Sequence, residues 1–285
     1  MIDAASYLFQ RQALWAQRKS IPLCGSAGDR GRLAYTRALD DNIFEPLSPE
    51  AVAEYSSGDG GELGRDVGRP GKMQAIHSSS ALGCNMFHYW RRVDPGVILR
   101  ACGLPTRGVE GLAFEGRLPI SEQFRYAPNL DVLATYAGDT TVAAIECKFC
   151  EPFSTRTKAP LSEKYLESAL DGLWDGSSAL RALARRCCDP NAADFRHLDA
   201  PQLLKHVLGL RRRAGSRGHL LYLYYDVPGR EGATHLDEIA RFTEATTTQD
   251  GVRFSSMSYQ AVLLRLADQR SAHEAWVDYM AERYL

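Results

Sequence analysis

Apolar side chains recur at helical spacing over residues 4–19, Leu8 and Trp15 among them, and predict an amphipathic first helix. Ser48-Pro49-Glu50 starts a shorter one, with serine as cap and proline in the first turn. A glycine-dense stretch from Ser57 to Gly71 breaks the pattern and reads as a loop. Periodicity returns behind Ser78 or Ser79, either of which caps a helix carrying Leu82, Met86 and Tyr89 or Trp90 on one side; a further short helix begins at Asp94-Pro95. Between residues 112 and 149 the spacing changes to that of three strands, with turns at residues 119–121 and at Gly138-Asp139. Helical segments follow over residues 162–186 and 201–213, and residues 219–227, aromatic and aliphatic throughout, read as a fourth buried strand. A helix after residues 234–237, a short strand near residues 252–254 and helices from Tyr259 and Ser271 complete the chain, the last opened by a capping box from Ser271 to Glu274. Interleaved strands and helices predict an α/β protein, its central mixed sheet flanked by helices, with helical additions at both ends.

The run Thr141-Val142-Ala143-Ala144-Ile145 is short and continuously apolar, as a fully buried central strand is. Charge then appears abruptly in Glu146-Cys147-Lys148. Alternation sends Glu146 and Lys148 to one face and Cys147 to the other. Upstream, residues 129–135 read as a neighbouring strand that brings in Asp131. Two carboxylates in a buried setting are costly unless a cation or strong hydrogen bonds compensate. Magnesium does so with one or two carboxylates, keeping several waters and taking phosphate oxygens of a substrate. An ammonium two positions beyond Glu146 would offset charge built up in the transition state. The plain alternative is a solvated Glu/Lys pair at a strand end, worth ~0 to 1 kcal/mol and the common fate of an isolated Glu-x-Lys. Asp131 and the apolar run between the charges shift the balance toward chemistry.

Through Asp131 and Glu146-Cys147-Lys148 the sequence resembles the PD-(D/E)XK nuclease superfamily, the restriction-endonuclease-like fold. Members carry an Asp on one strand and Glu-x-Lys on the next, within a core ordered helix, strand, strand, strand, helix, strand. The likeness extends over roughly residues 75–226, through the blocks from His77 to Phe87, Leu112-Ala113-Phe114-Glu115, Ile145 to Phe153, and Gln202-Leu203-Leu204-Lys205-His206. It implies that Asp131 and Glu146 hold Mg2+, for which Mn2+ can substitute, that the main-chain carbonyl of Cys147 helps, and that Lys148 assists the attacking water. One departure stands out: the family's Pro-Asp dipeptide is here Pro128-Asn129-Leu130-Asp131.

Secondary candidates surround these. Glu115 resembles a position where relatives keep an acidic residue and would reach the metal through water; an edge-strand glutamate is the alternative, and Glu122 competes for the role. Gln202 and His206 lie at i and i+4 on one helix face. The resemblance favours Gln202 as the residue near the site, a lone helix histidine being more often structural. Glu151 reads as a support for the loop after Lys148. Lys205, Arg211 and Arg212, continued by Arg213 and Arg217, with a second group at Arg181, Arg185 and Arg186, are the candidates to track a phosphate backbone, against the bland reading of solvated helix faces. Phe124, Tyr126 and Phe149 offer rings for base stacking, although core packing is the usual fate of such residues.

With 285 residues and 45% hydrophobic content the chain can bury a real core. The expected organisation is an N-terminal helical and loop extension over residues 1–74, packed on a nuclease-like core of residues 75–285, or one domain overall. No apolar stretch is long enough for a membrane span and the N-terminus lacks the order of a secretion signal, so the expected location is cytoplasmic. Seven cysteines without a dense framework fit reduced thiols. Cys147 and Cys150 form C-x-x-C, but Cys84, Cys102, Cys187 and Cys188 supply no matching second pair for a cluster or zinc. Gly71-Lys72 fails as a phosphate loop, Cys24-Gly25-Ser26 fails as a cysteine-protease fragment, and no G-x-S-x-G exists. A net charge of -1 leaves nucleic-acid binding to a local basic face. The reading is a divalent-metal-dependent phosphodiesterase on nucleic acid, DNA favoured, with a homodimer among the expectations because many members work as dimers. The alternatives are a protein that keeps this fold without turnover and binds nucleic acid or acts as a scaffold, and an unrelated globular protein in which Glu-Cys-Lys is coincidental.

Overall fold

A computed structural model of the chain describes residues 2–26, 31–58, 61–64, 69–138, 141–155, 158–192, 194–247 and 251–285. Asp139 of the expected turn and residues 59–60 and 65–68 of the expected glycine loop lie outside the described residues. The chain begins with α1 (Ala4–Arg18), a small antiparallel pair β1 (Leu23–Gly25) and β2 (Leu33–Thr36), and α2 (Pro49–Ser57). Helices α3 (Ser79–Val93) and α4 (Pro95–Ala101) precede β3 (Val109–Arg117), β4 (Asn129–Tyr136) and β5 (Val142–Lys148). Next come α5 (Ser178–Cys188), α6 (Ala200–Ala214), β6 (Gly218–Tyr224), α7 (Arg230–Thr246), β7 (Arg253–Ser258), α8 (Tyr259–Leu266) and α9 (Arg270–Tyr284).

The five strands form one mixed sheet in the order β3-β4-β5-β6-β7. The first three are antiparallel neighbours, whereas β5, β6 and β7 run parallel. Parallel pairing needs crossovers, and α6 and α7 immediately precede the strands they deliver. β5 is central and bonded on both sides, which accounts for its unbroken apolar run from Val142 to Ile145. Its alternate residues feed two cores. Ala143, Ile145 and Cys147 meet one half, with Leu8, Phe87, Val262 and Trp276 of α1, α3, α8 and α9. Val142 and Ala144 meet the other, with Leu183, Leu204 and Phe242 of α5, α6 and α7. This is the α/β arrangement, helices on both faces of a mixed sheet, that the pattern predicts.

Some local expectations are replaced. Residues 162–186 do not form one helix; two 3-10 turns, Glu163–Leu166 and Ser168–Leu173, precede α5. Gly176, at φ 67°, interrupts the helical backbone between the second of these turns and α5. The Ser271 to Glu274 capping box does not form, because α9 already starts at Arg270 and is kinked at His273. The His273 ring is drawn against Trp90, 4.6 Å between centroids, with its Nδ1 2.8 Å from the Tyr89 hydroxyl. α7 starts earlier than expected, at Arg230, directly after the positive-φ Gly229. The β1/β2 pair, too short to show a period, is not anticipated at all.

The N-terminal 74 residues share the core rather than sitting beside it. Leu8, Ile43, Ala51, Tyr55 and Met73 belong to the same apolar cluster as α3 and α9. Arg283 of α9, 2% exposed, clamps them. It donates to Gln12 Oε1 at 2.9 Å, to Asn42 O at 2.7 Å and to Asn42 Oδ1 at 2.6 Å, with its guanidinium 3.9 Å from the centroid of the Trp15 ring. Asn42 in turn donates to Met73 O and Ala75 O, at 2.6 and 2.9 Å. No helix among the described residues is long and apolar enough to cross a membrane.

Candidate functional site

β4 and β5 pair only as far as Val132 and Ile145. Past that point the Cys147 N–H donates to Asp131 Oδ2, at 2.6 Å, in place of a ladder partner. An extended residue turns its N–H and C=O toward the same neighbouring strand, so the Cys147 carbonyl faces the same opening. Alternation in β4 is interrupted here: Leu130 and Val132 are both fully buried, yet in opposite halves of the core. β3 responds in kind. Glu115 lies between the pairs Phe114↔Val132 and Gly116↔Leu130 and takes φ 52°, a value uncommon outside glycine and of the sort bulges use to re-aim a side chain. Its Oε2 accepts from Asn129 Nδ2 at 3.4 Å.

On β5, Glu146 is 1% exposed and contacts two cations or potential cations. Lys148 Nζ lies 2.5 Å from Oε1, and His206 Nε2 of α6 lies 3.0 Å from Oε2. Cys147 turns to the opposite layer, against Gly83 of α3, where a Cβ would stand 3.4 Å from its sulfur. The sheet thus gathers Asp131, Glu146 and Lys148 around the end of the β4/β5 ladder.

Their charges are interdependent. Burial raises the Asp131 carboxyl well above the usual range, and the charge of Glu146 adds to the shift against the opposing pull of Lys148. Burial pushes Glu146 upward as well, but Lys148 and His206 outweigh it and hold this carboxyl below its ordinary value. Burial opposes the charge on Lys148, yet Glu146 and Asp131 together keep it firmly an ammonium. Lys148 is therefore equipped to stabilise charge rather than to accept a proton. Burial, Glu62 and Glu146 push Glu115 up to about 7.

The Glu115 shift has a sign that can be measured. With its folded pKa above the unfolded value, ionising Glu115 costs stability as pH rises from about 4.5 toward about 7, and the cost is complete above that. Glu115→Gln in metal-free protein is expected to match the native chain at pH 4 and exceed it at pH 8 by up to about 3 kcal/mol. Denaturant titrations at the two pH values check it; an equal gain at both would attribute the effect to packing.

The donor set suits a divalent ion. Asp131 and Glu146 supply hard oxygens, and the charge of Glu146 disfavours ionised Asp131, with Lys148 offsetting both. No group of three or more His, Cys, Asp or Glu among the described residues forms a ready ligand cluster. Water and phosphate oxygens would have to complete the shell, as magnesium prefers.

Other candidates fall differently. Gln202 is half-buried in the first turn of α6; its backbone N–H donates to Asp199 Oδ1 at 2.9 Å and its side chain bonds to no described residue. His206, which sequence spacing ranks behind it, is the residue of that helix face that meets Glu146. Glu122 is exposed. Glu151 braces the turn after β5: Oε2 accepts from the Phe149 N–H at 3.0 Å and Oε1 from the Ser79 hydroxyl. Arg211 ties α6 to the preceding loop, donating to Ser177 Oγ at 2.7 Å and to the Asp175 carbonyl, while Lys205 is half-buried and Arg212 exposed. Arg181 and Arg186 pair with Asp171 and Asp194. Phe149 is buried, Phe124 packs edge-on against Tyr165 at 5.1 Å, and Tyr126 is 62% exposed beneath Arg125, whose guanidinium lies 5.1 Å from the ring centroid. Glu62, unremarked in a glycine-rich stretch, is 8% exposed, with Lys72 Nζ 3.7 Å away.

A family model described as Restriction Endonuclease associating with ARP matches residues 9–285. Comparison with curated proteins and with solved structures gave no match.

Proposed function

Starting from that restriction-endonuclease family, to which the chain belongs over nearly its whole length, we propose that it is a PD-(D/E)XK-type nuclease that hydrolyses phosphodiester bonds of nucleic acid, with DNA as the favoured substrate and Mg2+ as cofactor. The observation that carries this reading is the meeting of Asp131, Glu146 and Lys148 at the point where β4 and β5 part. Asp131 and Glu146, with the Cys147 carbonyl, would hold the ion. Mg2+, or Mn2+ in its place, supplies Lewis acidity to the scissile phosphate and to the attacking water.

The chain's own groups do the rest. Lys148, kept protonated by two carboxylates, offsets the negative charge that grows on the phosphate oxygens as water adds to phosphorus. Asp131, whose carboxyl ionises reluctantly beside Glu146, gains most from a neighbouring cation, which couples deprotonation to metal uptake. Substrate would approach over the exposed Arg212 of α6 and the Arg125-Tyr126 pair, which stands on the loop leading into β4 five residues before Asp131. Association with an ARP partner, named in the family's description, is part of the same reading.

Titrating Mg2+ and Mn2+ against labelled single- and double-stranded DNA, with binding and cutting followed together, tests the proposal. Metal-dependent cutting is the expected result. Binding without cutting at any metal concentration would identify a scaffold on the nuclease fold instead.

A further inference from the structure

We infer that His206 is a positioning residue of this site, fixing the Glu146 carboxylate through the oxygen that Lys148 does not hold. His206 is 1% exposed and flanked on its helix by the buried Leu203, Leu204, Val207 and Leu210, where an apolar side chain would satisfy packing alone. Its Nε2 stands 3.0 Å from Glu146 Oε2, and among the described residues its ring nitrogens have no other hydrogen-bond partner. A buried imidazole with no other hydrogen-bond partner among the described residues carries an energetic penalty that packing does not repay, so its contact with the buried carboxylate is the feature that needs explaining. Gly209, one turn on, permits the close packing of this helix, since a Cβ there would lie only 2.7 Å from the Leu118 carbonyl.

Glutamate has three side-chain torsions, and a contact at Oε1 alone leaves the second oxygen free to swing. Lys148 at Oε1 and His206 at Oε2 remove that freedom, and a carboxylate that ligates an ion is positioned by such outer contacts. The inference rests on the proposed metal role of Glu146. It predicts that metal affinity, and not only fold stability, depends on the reach of residue 206.

Two substitutions separate reach from bulk. His206→Gln carries an amide nitrogen about as far along the side chain as Nε2, whereas the His206→Asn amide ends one carbon short. Mn2+ uptake by the metal-free, full-length chain is followed through loss of the free-ion electron paramagnetic resonance signal, alongside melting curves. His206→Asn is expected to bind Mn2+ about 10- to 100-fold more weakly than the native chain, while His206→Gln recovers most of the affinity. Equal, undiminished uptake by both variants would overturn the inference and leave His206 as packing, as would an equal loss in both. Absence of Mn2+ uptake by the native chain is a different result: it removes the metal reading of Asp131 and Glu146 and this inference with it.

Discussion

Asp131→Asn is expected to cut DNA roughly a thousandfold more slowly than the native chain at saturating Mg2+, a loss of ~4 kcal/mol in transition-state stabilisation. The substitution keeps shape and leaves an oxygen to accept the Cys147 N–H, so only the charge is removed. Lys148→Ala and Glu146→Gln should fall comparably, by loss of the ammonium and of the second anionic ligand. Full Mg2+-dependent cutting in all three would end the assignment. The same Asp131 variant should melt higher than the native chain when metal is chelated. Because burial and Glu146 raise the folded pKa of Asp131, its ionised form costs stability once pH exceeds the unfolded value, and asparagine abolishes that cost. At a pH low enough to protonate Asp131 in both states, the two chains should melt together. A site that loses activity while its fold gains stability is the behaviour of a charge held in place for function.

Arg283→Met is expected to destabilise the whole chain by about 3 kcal/mol and to lower its melting temperature by about 6 to 12 °C. The guanidinium is buried with no carboxylate of a described residue beside it, and neutral acceptors on Gln12 and Asn42 satisfy it instead. Methionine keeps much of the volume but leaves Gln12 Oε1 and Asn42 Oδ1 without the donor they have, at roughly 1 to 3 kcal/mol each before relaxation and before the relief of unburying a cation, while Asn42 O keeps the Asn85 amide. The loss should be global, since these contacts join α1 and the segment around Asn42 to the C-terminal helix. A melting curve unchanged from that of the native chain would mean that the apolar cluster alone holds these segments together.

Legibility from sequence differed sharply between neighbouring residues. The β5 run and the opposite faces of Glu146 and Cys147 follow from an alternation that any strand obeys, and they are found as read. Asp131 was legible as a carboxylate entering the adjacent strand, but not as the acceptor of the Cys147 N–H, because that bond depends on where two strands part. Gln202 and His206 share a helix face by spacing, and spacing cannot say which of them a given crossover seats against Glu146. Arg211 and Arg181 count as basic residues in a sequence, yet in the fold they are engaged with Ser177 and Asp171.

The sequence by itself determined the α/β order, the central strand and the three residue types that suit phosphodiester chemistry, because hydrophobic period and charge position are written locally along the chain. Tertiary structure decided the left-handed turn at Glu115, the approach of His206 permitted by Gly209, and the clamp of Arg283 on Gln12 and Asn42. Each of these joins residues brought together only when the layers close, and the energy of burying a polar group depends on neighbours that no local pattern encodes.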